Sequence, residues 1–319
     1  MAKYINPLKE KLIFPAALTP GDKIAIVSPA SVVKEEYVLG AMEKIMERGY
    51  EPVLMKHALG NSYGTFAASK SERLIDIIDT FEDDDIKAIL CARGGYGCCQ
   101  LLANFSPGII ASNPKWIIGF SDVSALLAAW YSRGVASIHG PMAKHLSVMP
   151  SEDKCTEALF HILESGGEFD YKVEPHPYNI TGRAAGRIKG GNLAVLNDLS
   201  GTPDDLLADK YDEDYILFFE DISEPIYKVN RMLYRLYLSG SLSHAKGLIF
   251  GRFTEYLPDK NFVSMEDMIH DFIDRNFPGL DIPVVYNFPV GHTDFNLPIT
   301  VGANVELEVT KDFVSLKTI

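Results

Sequence analysis

Short apolar runs alternate with stretches of helical spacing through the first half of the chain. Lys23 to Ser28 (KIAIVS) is apolar and entered from a turn at Pro20-Gly21-Asp22, which predicts a buried strand. Glu35 to Arg48 predicts a helix and Glu51 to Met55 a strand. Ser71 to Phe81 carries Leu74, Ile77, Ile78 and Phe81 at helical spacing. Ile86 to Cys91 is a further apolar run, followed by a glycine cluster and a short helix around Cys98 to Ala103. Lys115 to Gly119 predicts a strand, Val123 to Ser132 a helix and Val135 to His139 a strand. Strands separated by helices imply βαβ units and a parallel sheet. Ligands of such sheets bind beyond the carboxyl ends of the strands. Two glycine-bearing turns fall there: Arg93-Gly94-Gly95-Tyr96-Gly97 and Gly119-Phe120-Ser121-Asp122.

The pattern weakens between about residues 151 and 185, where Ser165-Gly166-Gly167 and Glu174-Pro175-His176-Pro177 are turn-rich. This stretch reads as a linker, set at residues 161–183. It divides an N-terminal α/β domain (1–160) from a C-terminal domain (184–319). Beyond it, Ala184 to Lys189 predicts a strand, then Gly190-Gly191-Asn192 and a short helix to Leu199. Tyr215 to Glu220 (YILFFE) predicts a strong strand. Ile226 to Leu238 is a helix with one apolar stripe at Ile226, Val229, Met232, Leu233 and Leu236. Gly247 to Gly251 and Pro283 to Phe288 predict strands around a helix near Met265 to Arg275. Val305 to Val309 and Phe313 to Leu316 are β-type runs. The expected fold is α/β: a parallel-sheet, Rossmann-like first domain and a smaller second α/β domain, rich in β near its end.

A length of 319 residues suits two domains, and 47% hydrophobic residues are enough for a sizeable core. The net charge of −13 argues against nucleic acid or an anionic membrane as partner, since both need clustered Lys and Arg. The four cysteines, Cys91, Cys98, Cys99 and Cys155, match no disulfide framework or metal clip. Met1 to Pro7 lacks the apolar core of a signal peptide, and no apolar run is long enough to span a membrane. A soluble, cytoplasmic protein is the expectation.

Ser121 follows a strand and precedes a helix, the setting of a nucleophile elbow. Backbone N–H groups at a helix start favour developing negative charge. The full G-x-S-x-G pattern is absent, and local sequence alone favours a helix cap. A serine needs a base. His139 (in SIHGP) and His292 (in VGHTD) each follow a strand, and the residues alone do not separate them. A base needs an orienting carboxylate. Glu220 ends YILFFE, and a carboxylate leaving a buried strand calls for a partner. Glu224-Pro225 already supplies a helix-start signal, which frees Glu220 for another role. The order Ser121, Glu220, His292 is that of α/β-hydrolases, though triads recur in several orders. Arg93 to Gly97 fits neither phosphate-loop pattern; Gly94 and Gly95 permit close approach of a backbone N–H to a ligand. No residue cluster has metal-site spacing, so neither a metal nor a cofactor is expected.

Taken in order, these motifs resemble the LD-carboxypeptidases (muramoyltetrapeptide carboxypeptidases), a family that also contains microcin-immunity peptidases. The resemblance runs from Gly21-Asp22-Lys23 and Ser28-Pro29-Ala30 through Arg93 to Gly97, Ile118 to Asp122 and His139-Gly140-Pro141. It continues with Gly190-Gly191-Asn192-Leu193, Gly201-Thr202-Pro203, Phe219-Glu220-Asp221, Tyr227 with Arg231, and Gly291-His292. It implies an active site at the domain junction and a Ser121–Glu220–His292 triad, so that His292 rather than His139 is the base. It also implies oxyanion donors at the N–H groups of Gly95 and Asp122, and a homodimer. Two departures stand out: Ser124 where threonine is commoner, and the Cys98-Cys99 pair.

The implied reaction is serine-type release of the terminal D-alanine from a cytoplasmic murein tetrapeptide, after lysine or diaminopimelate, in peptidoglycan recycling. Arg93 or Arg231 would meet the substrate carboxylate, with Tyr96 nearby. Two alternatives remain at this stage. One is a microcin-immunity-type amidase acting on aminoacyl-nucleotide analogues. Trp116 and Trp130 are the only tryptophans and both lie in the first domain, which disfavours base stacking in the second. The other is a non-catalytic muropeptide-binding protein.

Overall fold

The apolar runs of the first half become strands of one sheet in the computed structural model, which describes residues 12–60, 64–106, 108–208 and 214–319. The stretch Met1 to Pro7 lies outside the described residues. The chain forms two units. The first runs to Glu168 and takes in Leu297–Gly302. Its elements are β1 (Lys23–Val27), α1 (Glu35–Glu47), β2 (Glu51–Leu54), α2 (Lys70–Glu82) and β3 (Ile86–Cys91). They continue with α3 (Ile109–Ser112), β4 (Trp116–Gly119), α4 (Ser124–Ser132), β5 (Ser137–His139), α5 (Ala143–Val148) and α6 (Lys154–Ser165). β1 pairs in parallel with β2 and β3, β3 with β4, and β4 with β5. α4 is buried on every face, as suits a helix with apolar residues all round and only two serines, one at each end (SALLAAWYS). The short helix expected at Cys98 to Ala103 is instead two 3₁₀ turns, Cys98–Gln100 and Leu102–Asn104.

The second unit is Phe169–Asn296 with Ala303–Ile319. It contains β6 (Asp170–Val173), β7 (Gly182–Asn192), α7 (Leu193–Asp198), β8 (Tyr215–Ile222) and α8 (Ile226–Leu238). β9 (Ala245–Thr254), α9 (Met265–Asn276) and β10 (Val284–Val285) follow. The chain then gives β11 (Ile299–Val301) to the first sheet and closes with β12 (Asn304–Val309) and β13 (Val314–Thr318). The sheet order is β10-β9-β8-β7-β12-β13-β6. β7 to β10 run parallel, while β12, β13 and β6 are antiparallel additions. Seven of the eight residues of β8 are buried, so both faces of this central strand are covered. No helix of the described residues is long and apolar enough to cross a membrane.

Two further features bear on the sequence reading. Residues 161–183 contain the end of α6 and all of β6, and the division between the two units falls among them, at Glu168 and Phe169. Asp153 caps the start of α6 by accepting from Thr156 N at 2.8 Å, and Gly166 closes its end in the left-handed region (φ 76°). The glycines that looked like a linker are a helix stop. β11 was not expected: three residues between Pro298 and Gly302 are too few for any periodicity. It adds to β5 antiparallel, Ile299 opposite His139, at the edge of the first sheet. Gly140 makes room for it, since a Cβ there would lie 2.8 Å from Pro298 Cβ.

Arg73 ties the ends of β1 and β3 together from inside. Only 2% exposed, it donates to Pro29 O (2.5 Å), Gly97 O (3.2 Å), Ala68 O (3.2 Å) and Gln100 Oε1 (2.6 Å), with its guanidinium 4.7 Å from the Phe66 ring. Arg73→Met leaves these buried acceptors unanswered and is expected to cost about 3 kcal/mol or more. The check is a urea transition followed by the fluorescence of buried Trp116 and Trp130, both in this unit. Lys34→Met, at an exposed Lys34–Glu36 pair, serves as the control and leaves the midpoint in place.

Candidate active site

β4 delivers the chain to a sharp turn. Its four residues are buried, and the next but one, Ser121, stands at φ 62°, a region that non-glycine residues rarely occupy. A strained serine between a strand and a helix is the local form of a nucleophile elbow. Small neighbours make the turn possible. A Cβ on Gly119 would lie 2.8 Å from Val123 Cγ1, and one on Gly94 would lie 2.9 Å from Ser121 Cβ. The two glycine-bearing turns named in the sequence are therefore packed against each other.

Polar contacts fasten them. Asp122 is buried, and its Oδ2 accepts from Cys98 N at 2.8 Å. Ser31 Oγ accepts from Tyr96 N at 3.2 Å, and Ser31 N donates to Gly94 O at 3.3 Å. Gly95 is left-handed (φ 108°), and a side chain there would run into Ser31 Oγ. Asp122 occupies the first helical turn, where N–H groups lack intrahelical acceptors. Arg93 is exposed and donates to Val32 O at 2.9 Å; Tyr96 is 61% exposed and touches the Phe66 ring. His139 is wholly buried, 5.8 Å ring to ring from Phe120. Cys98 is buried beside Asp122, and burial followed by that charge pushes its thiol well up, so it is not a reactive thiolate; Cys99 is exposed.

In the second unit, Glu220 lies near the end of β8 with no exposed surface, and its Oε2 is 2.7 Å from His292 Nδ1. His292 follows Gly291, whose φ of 119° suits glycine. A Cβ at Gly291 would stand 2.8 Å from Glu220 Cβ and 2.9 Å from Oε2. The turn is pinned by Gly291 N donating to Asn296 Oδ1 and by Arg252 N donating to Val290 O, each at 2.9 Å. Burial lowers the His292 pKa, but the charge and hydrogen bond of Glu220 outweigh it, so the net shift is upward. A carboxylate at Nδ1 favours the tautomer that carries its proton there.

Other histidines meet carboxylates too. Asp76 pairs with His57 and also accepts its backbone N–H, Asp153 pairs with His145 while capping α6, and His270 meets Asp274 one turn along α9 at 3.5 Å. Asp221, beside Glu220, is likewise bound to backbone. It accepts from Ala194 N, Ile222 N and Asn192 Nδ2 at 2.9–3.0 Å, fixing the junction between the end of β7 and the start of α7. Burial, then the Glu220 charge, pushes the Asp221 pKa up to about 7.

Arg231 is on the exposed side of α8, its guanidinium 5.3 Å from the Tyr227 ring one turn away. The sequence reading missed a different arginine. A cavity of about 280 Å³ in the second unit is lined by Arg252, Thr254, Glu266, Asn287, Thr293 and Phe295, among others. Arg252 and Thr254, two apart in the otherwise apolar end of β9, share one strand face; that polar alternation was the available signal. Among the described residues no group of three or more His, Cys, Asp or Glu could hold a metal ion.

Known proteins share this arrangement of elements. Residues 24–140 match the LD-carboxypeptidase N-terminal domain and residues 185–307 the LD-carboxypeptidase C-terminal domain. A probable murein peptide carboxypeptidase of Bacillus subtilis is 31% identical over 302 residues, covering 93% of this chain and 92% of that one. The murein tetrapeptide carboxypeptidase of Pseudomonas aeruginosa is 30% identical over 294 residues, covering 90% and 93%. The crystal structure of muramoyltetrapeptide carboxypeptidase from Oxalobacter formigenes superposes with a TM-score of 0.81 at 29% identity, covering 93% of this chain and 98% of that one. With both domains matched and these likenesses extending over nearly its whole length, the chain belongs to the LD-carboxypeptidase family of serine peptidases.

Proposed function

We propose that this protein is a serine-type LD-carboxypeptidase that releases the terminal D-alanine from murein tetrapeptides, a cytoplasmic, homodimeric enzyme of peptidoglycan recycling. The observation that carries the reading is the left-handed backbone of Ser121 between β4 and the helix that follows. Strain of that kind persists where the surroundings impose it, and it exposes a hydroxyl to attack an acyl carbon. The names of the relatives support the choice of peptide.

In the proposed mechanism His292 Nε2 takes the Ser121 proton as Oγ attacks the peptide carbonyl. Glu220 holds the imidazole through Nδ1 and stabilises the imidazolium. The N–H groups of Gly95 and Asp122 receive the oxyanion. His292 then protonates the leaving amine of D-alanine, and water, deprotonated in turn by His292, hydrolyses the acyl-enzyme.

Loss of one alanine from a murein tetrapeptide, read by mass spectrometry, tests the reading directly. Ser121→Ala is expected to lower kcat roughly 10⁶-fold, and Glu220→Gln about 10⁴-fold. A Ser121→Ala protein that keeps its peptidase activity would end the proposal.

The acid limb of the pH profile follows from His292. The base must be neutral, and its pKa is raised in the folded protein, so activity rises with pH through a value above that of an ordinary histidine. Glu220→Gln removes the charge that outweighs burial, and the limb is expected to move to lower pH. A limb that does not move separates Glu220 from the base.

Gly291→Ala drives a methyl group into Glu220. Steady-state kinetics should then show kcat lower by about tenfold or more, with KM changed less, because the misplaced group acts in the transition state.

A further inference from the structure

The turn from Arg93 to Gly97 is fastened on both sides of one open donor. Arg93 Nη1 donates to Val32 O at 2.9 Å, and Gly94 O accepts from Ser31 N at 3.3 Å. Tyr96 N donates to Ser31 Oγ at 3.2 Å, and Gly97 O accepts from Arg73 Nη1 at 3.2 Å. Between these grips, the N–H of Gly95 donates to no group among the described residues, and Gly95 is exposed. A backbone donor left open inside an otherwise fastened turn is available to a ligand. The grips on either side of it both come from Ser31, a residue that the proposed mechanism does not use.

The peptide group makes these grips directional. Gly94 O and Gly95 N–H belong to one planar trans peptide, so the C=O and N–H bonds point in opposite directions. Drawing Gly94 O toward Ser31 N therefore turns Gly95 N–H to the other side. The Ser31 hydroxyl fixes the next peptide through Tyr96 N, so Gly95 is bracketed before and after. Glycine needs such brackets: Gly94 and Gly95 in succession, the second at φ 108°, would otherwise sample many conformations. Gly94 lies against the nucleophile, since a Cβ on it would stand 3.2 Å from Ser121 Oγ. The N–H that Ser31 aims thus belongs to the peptide that starts at the residue touching Ser121.

Ser31 is itself anchored from behind. It is 9% exposed and forms a β-bridge with Phe66, flanked by Ala67 N donating to Ala30 O at 3.1 Å and Val32 N to Thr65 O at 3.0 Å. No slack separates it from Gly95, where an added Cβ would run into Ser31 Oγ. Resting on the reading of the chain as a serine peptidase whose Gly95 N–H receives the oxyanion, we propose that Ser31 is a positioning residue: its hydroxyl and its backbone N–H set the direction of the Gly95 donor before substrate arrives. A donor aimed beforehand needs no reorganisation as charge develops, so its benefit falls on the transition state rather than on substrate binding.

The test separates the transition state from the ground state. Ser31→Ala removes the hydroxyl's grip and keeps the backbone one. Its kcat for alanine release is expected to fall about 10- to 100-fold, short of the roughly 10²- to 10³-fold loss of a whole donor, with KM within about threefold of wild type. Ser31→Thr, which keeps a hydroxyl, is expected to recover most of the rate. Calorimetry then compares two ligands. A tripeptide boronic acid, whose boron bonds to Ser121 Oγ and sets an oxygen where the oxyanion forms, is expected to lose the same factor in affinity on Ser31→Ala. The tetrapeptide, bound to Ser121→Ala protein with and without Ser31→Ala, is expected to keep its affinity within about threefold. Calorimetry also counts sites, so a variant that folds incompletely loses sites rather than affinity. An unchanged kcat, or equal losses for boronic acid and tetrapeptide, would overturn the inference; equal losses would assign Ser31 to holding the Tyr96 side chain for binding. Wild-type turnover is measured alongside. No alanine release, with the boronic acid still bound more weakly by Ser31→Ala, sinks the murein peptidase reading alone. Alanine release at an unchanged rate in Ser31→Ala sinks the Ser31 assignment alone.

Discussion

A carboxylate with no exposed surface is the constraint on which the second unit turns. Burying an ionised group is costly unless hydrogen bonds and opposite charge answer it. Glu220 sits in that position at the end of a strand covered on both faces, and His292 answers at 2.7 Å. Much of the local sequence follows from this contact. Gly291 has no side chain because one would occupy the carboxylate's place. Asn296 is buried so that its amide oxygen can hold the glycine's N–H. β9 runs beside β8 and presents Arg252 to the carbonyl of Val290, which stops the histidine turn from drifting.

The first unit meets a different demand, a backbone rather than a charge. Ser121 is held in a conformation that costs on the order of 1–3 kcal/mol, so the neighbours must over-determine it. They do so by removing alternatives. Gly119 and Gly94 let two turns approach to contact, Asp122 clips them together through Cys98 N, and Ser31 holds the Arg93–Gly97 turn through Tyr96 N. Arg73 then fixes Gly97 from below. The same kind of strain recurs in the second unit at Ser223 and Glu255, the residues just past β8 and β9, whose side chains share a 3.0 Å hydrogen bond. In each case the strained residue lies just past the carboxyl end of a parallel strand, where this architecture presents groups to ligands.

Much of this was legible because it depends on local pattern. β3 and α8 follow the apolar spacing with the bounds expected from it. The turns at Gly94 and Ser121 announced themselves by glycine at strand ends, and the pairing of Glu220 by its place in YILFFE. The residues alone did not separate His292 from His139; the expectation of His292 came from a family resemblance. In the structure a carboxylate meets the His292 ring, and Phe120 lies beside the His139 ring. Non-local features were hidden. β11 exists because a distant strand has a free edge, and α6 was masked by glycines whose role as a helix stop depends on what the helix packs against. Arg252 lay just beyond the strand expected at Gly247 to Gly251, which the structure extends to Thr254.

The neighbour of the buried glutamate bears on how the charge is shared. Successive residues of a strand point to opposite faces, so Asp221 turns toward the start of α7 while Glu220 turns toward His292. Two adjacent carboxylates in a low-dielectric setting resist being ionised together. Burial and the Glu220 charge raise the Asp221 pKa, and the donors at Ile222, Ala194 and Asn192 oppose that rise, leaving it at about 7. Asp221 also adds to the upward shift of His292 while it is ionised. As pH rises through 7, loss of its proton therefore holds the imidazolium longer, while lower pH leaves that role to Glu220 alone. The donors at the junction of β7 and α7 thus oppose the rise at Asp221, and Asp221 in turn adds to the upward shift of His292.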